Sequence, residues 1–597
     1  MDNKKKLIIG IVLGIILVSG ITYAILTWTS TRINLGITSD CFTIDYTKGG
    51  DITGSLKLLN EEDLITSDNK FTIKNGVGIS SANIGINSSC NIEGYGRLLL
   101  NVTSISDAFT TGSSVGSLKY VVLKNTSSIT NPREVSVTSL LDQSFDIEAK
   151  GSITSSGTKD ILVRNLSNTE IYKYLIVIYI DNNLASNDVI GATFTGNISA
   201  DATQGKLNAD YTLQKLNSLN STIAVDTSKT PDFTTVSGNN GFDNNDNTGL
   251  GDGTKGIYAS EDDFGTSYYF RGAVENNYVV LKSPSSSNTG SEQLSSSVNN
   301  KEVTARFLDI SSGSPKPTYA KGLYFRIIRI NGDGTIRMIY AGTRPHENGY
   351  DDSSTHDTRI GTSPYNSSYN DNAYVGYMYG TAGSSTYDET HSNTNDSTIK
   401  TLVDDWYQSI LSRYSYAIAD TIYCNDRSVT PVDSFAGMAL TGTGIGTEDT
   451  AYSNLKRNWI DHNPSLKCTN KNDRFTVSND IGNKALTYPV GLITTDEVAM
   501  AGGVATDVNN NSYIANMDYY LFTGYWYWTM TPLAFAGGRA NVGDVYNVGG
   551  LLNNRVHYTG GSARPVVSLN SDAISGGRGT MTDPFVVEGI NVSIAPR

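Results

Sequence analysis

Charge is scarce in this 597-residue chain: Asp, Glu, Lys and Arg together make up 17% of it, and there are only five histidines and four cysteines. Each shortage excludes something. Lys and Arg number 45 against 59 Asp and Glu, a formal net charge of -14. No basic surplus exists to displace counterions from a phosphate backbone, so nucleic acid is not expected as a partner. No CxxC occurs and the histidines are scattered, so the expectation is no metal site. What fills the deficit is Gly, Tyr and small polar residues, with 58 Gly and 35 Tyr. That composition suits short strands joined by turns, not a helical bundle.

A chain of this length exceeds what one hydrophobic core supports, so several domains are expected. It begins MDNKKKLIIGIVLGIILVSGITYAILTW. After Lys4, Lys5 and Lys6 no charged residue appears until Arg32, and Leu7 to Thr31 is long enough as a helix to cross a bilayer core of roughly 30 Å. The lysines keep the N-terminus cytoplasmic, and the chain after about Ser30 is then exported to the cell surface. Two readings stay open. Thr22-Tyr23-Ala24 offers the small residues of a signal-peptidase site, while the apolar run continuing through Ile25, Leu26 and Trp28 favours a retained membrane anchor. The end, INVSIAPR, carries no sortase-type signal, so the N-terminal helix is the expected attachment.

Four cysteines allow three pairings. Cys41 and Cys90 fall in the first half and Cys424 and Cys468 in the second, so two disulfides within halves are expected. The organisation predicted is an anchor over 1–30, an all-β domain over 31–205, a linker with a short helix over 206–256, and an α+β domain over 257–597. In the second of these, strand candidates at Arg97 to Val102, Leu118 to Leu123, Asp160 to Val163, Ile171 to Ile180 and Ile190 to Phe194 predict a β-sandwich. GSSVG, residues 112–116, matches a nucleophile-elbow pattern with Ser114 in place, but this domain contains no His to act as base, so a turn is the reading.

In the linker, Asp243, Asn245 and Asn247 match the first ligands of a calcium loop, but Thr248 stands where that loop needs Gly and Thr254 where it needs Glu; a solvated turn is expected. Residues 283–318 read as a polar, flexible insertion. Asn331 to Gly334 predict a hairpin. Ser397 and Thr494 or Thr495 cap two helices; the first buries Ile399, Leu402, Val403, Trp406 and Ile410 on one face. HENGYDDSSTH, from His346 to His356, holds Glu347, Asp351 and Asp352, residues of metal-ligand or general-base type, and reads as a polar loop. YWYWTMTP, residues 525–532, reads as a core strand ended by Pro532, with Trp526 and Trp528 inside; Arg564, before Pro565, is expected in a buried salt bridge, with Asp544 one candidate.

Several of these stretches occur together: YYFRGAVENNYV at 268, YFRIIRINGDGTIRMIY at 324, IYCNDRS at 422, PSLKC at 464, YPVGLITTDEVAMAGG at 488, YWYWTMTP at 525 and ARPVVSL at 563. Over roughly 257–590 the chain resembles a recurrent domain of bacterial cell-surface proteins whose plan is similar to the C-type-lectin-like fold, also used by formylglycine-generating enzymes. The resemblance implies a hairpin, two helices and a closing aromatic sheet that displays loops. It does not carry over their chemistry: no further thiol stands beside Cys424 and Cys468, and the calcium-dependent sugar motifs are missing. The first domain is comparable, in broad plan only, with matrix-fibre subunits.

The expected function is binding of an extracellular ligand, a glycan or a protein, or adhesion. The expected presenting surface is two loops, one holding Tyr365, Tyr369, Tyr374 and Tyr377, the other, Leu533 to Asn554 and just beyond, holding Arg539, Asn541, Asn553 and His557. A structural surface-layer or fibre component is the alternative, and an enzyme modifying surface polymers the third reading. No cofactor is expected.

Overall fold

The computed structural model describes residues 24–28, 41–47, 52–66, 68–125, 137–234, 254–282, 292–298, 301–307, 322–347, 350–351, 357–505 and 516–589. The chain is multidomain, with mixed α+β structure and mainly antiparallel sheets, and divides into two compact units at Lys206/Leu207.

In the first unit, five strands lie in the spatial order Gly157–Leu166, Gly94–Ile105, Thr193–Gln204, Ala24–Trp28 and Ile52–Leu56. A second sheet runs Phe42–Thr47, Gly78–Ile86, Ile171–Asp181, Leu118–Lys124, Ser144–Ser152 and Lys70–Thr72. Alternate residues of both sheets meet in one apolar core, with Leu98, Leu100 and Ile198 from the first and Val122, Ile176 and Ile178 from the second. The strand Ile171–Asp181, apolar on both faces in the sequence, has neighbours on both edges and buries its other face too, where Tyr179 packs on Phe71. The Cys41–Cys90 disulfide forms here.

The expected membrane span lies outside the described residues except at its end. Ala24–Trp28 is a strand there, parallel to Thr193–Gln204 and antiparallel to Ile52–Leu56. Ile25, Leu26 and Trp28, whose apolar run favoured a retained anchor, lie in this strand. Among the described residues no helix is long and apolar enough to cross a membrane.

The helix expected in a linker, Ala209–Leu219, belongs to the second unit instead. Leu216 enters that unit's core, Thr212 Oγ1 donates to Gly334 O, and Lys215 Nζ donates to Ser571 O at 3.0 Å. Part of the expected flexible insertion forms a hairpin, Glu292–Val298 against Lys301–Phe307. The possible calcium loop lies outside the described residues except at Thr254, which is buried and accepts from Arg271 Nε at 2.7 Å.

The hairpin over Asn331–Gly334 joins Gly322–Ile330 to Ile336–Tyr340, with Gly334 at φ +85° supplying the left-handed turn residue. Ser397 Oγ accepts from Lys400 N to start the helix Thr398–Trp406, and Trp406 is fully buried. Thr494 and Glu497 form a reciprocal capping box at the start of Thr495–Ala501, and Gly502 at φ +132° ends it. The aromatic run becomes the strand Tyr527–Ala536, paired with Arg539–Val545, which in turn pairs with Leu551–Arg555. Pro532 does not end it. The strand passes through Pro532 with irregular register on both sides, because proline cannot donate to the ladder. The stretch expected as a presenting loop, 533–554, is therefore mostly sheet.

Candidate functional site

The tyrosines expected on one surface separate. Tyr365 and Tyr377 are fully buried, Tyr365 edge-on to Trp528 and Tyr377 edge-on to Phe475. Tyr374 is half-buried against Tyr379. Only Tyr369 is exposed, at 39%. Their even spread along a Gly/Asn/Ser-rich segment looked like display; the segment instead sends the first and last of these rings, Tyr365 and Tyr377, into the core.

Tyr369 does meet the second predicted group. Ala540 N donates to Tyr369 O, which ties its loop to the strand Arg539–Val545. The His557 ring lies 4.2 Å from the Tyr369 ring and 5.2 Å from Tyr558, itself exposed, and the Arg555 guanidinium stands over Tyr558. Asn541 pairs with Arg555 and Gly543 with Asn553 across the sheet. Burial, then Arg539 and Arg555, push the His557 pKa below its ordinary value, and its Nδ1 is buried without a hydrogen-bond partner. Arg555 and Tyr558 were not among the ligand-binding residues expected from the sequence. Their signal was adjacency to His557 in an edge strand and the turn after it. Asn541 is buried, its Nδ2 donating to Arg539 O, and takes no direct part.

Trp528 is core, with Nε1 donating to Ser363 O at 2.8 Å, whereas Trp526 is only half-buried beside Gly560. Among the described residues Arg564 has no carboxylate partner. Its guanidinium donates to Tyr340 O and Leu521 O and lies over the Tyr527 ring at 4.7 Å. Asp544, its expected partner, is fully buried, accepts one bond from Asn554 Nδ2, and is pushed up by burial to about 7.

One cleft lies beside the Cys424–Cys468 disulfide and is walled by Asp262, Arg329, Arg337, Arg457, Asp496 and Glu497. Its water-accessible space is about 30 Å³, room for roughly two waters. Its charges are also paired. Asp496 accepts from Arg457 Nε at 2.7 Å, Asn454, Asn458 and Ser465 N. Burial would push Glu497 up, but Arg337 and Arg329 outweigh it and hold the carboxyl below its ordinary value. This is a fixed ionic network that anchors the helix Thr495–Ala501. Ser114, the other catalytic motif candidate, is buried in a turn with its hydroxyl on Asp188 and Ser186.

A last constellation crosses the HENGYDDSSTH stretch. His346, Asp351 and Asp357 place one potential ligand atom each within 4.8 Å of one another, a set able in principle to coordinate a metal ion. Asp357 lies one residue beyond the stretch singled out in the sequence, while Asp352 and His356 lie outside the described residues. No protein-family model matches the chain, and no curated protein matches it.

Proposed function

We propose that the chain is an exported bacterial surface protein, tethered through its N-terminal apolar segment, whose C-terminal unit binds an extracellular glycan through the patch around Tyr369 and His557. On this reading the first unit is a β-sandwich and the second a C-type-lectin-like head. Two sheets sharing one core support the former; a hairpin, two helices and a closing aromatic sheet support the latter. The observation that carries the ligand reading is the clustering of Tyr369, His557, Tyr558 and Arg555, two exposed rings flanking an imidazole, tilted to one and edge-on to the other, with an unpartnered nitrogen. Aromatic faces take sugar rings and the polar tips take hydroxyls. Arg539 and Arg555 beside His557 favour acidic sugars over neutral ones, against the acidic background of the chain.

Binding to a glycan array, with acidic glycans strongest and Tyr369→Ala/Arg555→Ala losing at least about tenfold in affinity, is the expected result. A wild-type protein silent on the array, or a double variant that binds as well as wild type, overturns it.

A further inference from the structure

We propose that His346, Asp351 and Asp357 bind one divalent transition-metal ion of the zinc class. His346 Nδ1 faces Tyr350 O at 3.2 Å. A carbonyl only accepts, so Nδ1 carries a hydrogen, which leaves Nε2 as the nitrogen able to ligate. That Nε2 lies 2.6 Å from Asp357 Oδ1, and among the described residues neither atom has another hydrogen-bond partner. The His346 side chain is only 3% exposed. An imidazole nitrogen and a carboxylate oxygen held this close, away from water, need either a proton on Nε2 or a metal ion beside them, and Asp351, within 4.8 Å, completes a metal-ligand set.

Both carboxylates are also oriented from behind. Asp357 Oδ2 accepts from Thr343 Oγ1 at 3.0 Å and Thr343 N at 3.3 Å; Asp351 Oδ2 accepts from Thr358 N at 3.1 Å and Thr358 Oγ1 at 3.3 Å. Ligating carboxylates and imidazoles are held in this way by outer partners. Tyr278 Oη donates to His346 O and fixes the backbone behind the ring. Gly342, at φ +108°, keeps the space open, since a Cβ there would stand 3.2 Å from both His346 Nε2 and Asp357 Oδ2.

The donor set selects the ion. Calcium takes six to eight oxygens, whereas one imidazole with two carboxylates suits zinc and its neighbours. Two carboxylates and a neutral imidazole balance a divalent charge, which removes the penalty of burying it. Arg344, whose Nε is 4.0 Å from Asp357 Oδ2, is the cation that faces the site and is 39% exposed.

The test uses the full chain, stripped with a chelator and then titrated with zinc chloride alone or calcium chloride alone, with bound metal counted by elemental analysis. Expected are one zinc per chain and no calcium, with zinc affinity lowered more than about tenfold in His346→Gln and in Asp357→Asn and unchanged in His462→Asn. X-ray absorption of the zinc-loaded wild type, which needs no variant to fold, should show a nitrogen and oxygen shell with one imidazole. No zinc uptake, calcium in place of zinc, or a shell containing sulfur or several imidazoles overturns the proposal. Zero uptake would also identify the His346–Asp357 contact as a protonated imidazole on a carboxylate.

Discussion

The two units solve the same problem, satisfying buried polar backbone, by different means. In the first, long strands of up to 12 residues pair along their length, so backbone N–H and C=O groups satisfy one another and the core between the sheets is apolar. In the second, many strands are two residues long and the chain between them is irregular. Its loop carbonyls need donors from elsewhere, and five arginines buried to below 2% exposure supply them: Arg271, Arg326, Arg337, Arg427 and Arg564. Arg271 donates to Ala499 O, Met500 O and Asp232 O, and Arg427 to Met378 O, His391 O and Asn472 O. A guanidinium carries five donors on one rigid plane, so it can join several loops where a strand partner is missing. Irregular fold and buried cation are two sides of one arrangement.

Breaking that arrangement at Arg427 should have the largest effect. Arg427→Ala leaves Asp473, now 2.6 Å from the guanidinium, buried without its cation, together with three loop carbonyls. A loss of about 3–5 kcal/mol is expected. In chemical denaturation followed by hydrogen exchange, only second-unit amides should lose protection; equal loss in the first unit would refute the division of labour.

Asp544 tests the converse, a buried charge that was given no arginine. Its carboxyl rests at about 7 in the folded chain, with burial the cause, against an ordinary value of 3.8. The folded protein holds this proton after the unfolded chain has lost it. The contribution of the protonated form is therefore full below about pH 4 and is lost progressively as pH rises to about 7, on the order of 4 kcal/mol in all. Asp544→Asn should stabilise the second unit at pH 8 and flatten its stability across that window, as read from denaturation midpoints at pH 4, 6 and 8. An unchanged pH profile would mean that Asp544 ionises in place.

The smallest expected effect is at the capping box. Thr494→Ala removes the hydroxyl that accepts from Glu497 N and should cost about 1 kcal/mol. Much of the anchoring of this helix lies in Asp496 and Glu497, so Arg457→Ala should exceed Thr494→Ala in the same thermal-unfolding series. The reverse order would make the cap, rather than the ionic network, the main anchor.

How far these features were legible depends on how local they are. The caps at Ser397 and Thr494, the hairpin at Asn331–Gly334 and the buried stripe around Trp406 are contacts within a few residues, and sequence spacing announces them. Arg564 was legible as buried but not in its partners, because Tyr340 and Leu521 offer only backbone oxygens, which every residue has. Tyr365 and Tyr377 could not be told from Tyr369 by composition; burial was decided by which side of the turning segment meets the sheet. In the His346 cluster, Asp351 was within view, whereas Asp357 became a partner only when the chain folded back onto the ring.

By itself, then, the sequence determined an acidic, turn-rich chain of more than one domain, with a disulfide in each half, its hairpin and the starts of two helices, since these rest on composition and short-range chemistry. Only the tertiary structure decided that Ala24–Trp28 joins a sheet, that Pro532 lies within a strand, which tyrosine faces water, and that His557 meets Tyr369 while His346 meets Asp357. Each of those depends on residues far apart in the chain, or on opposite sides of one turn, and periodicity carries no information about what a side chain meets across space.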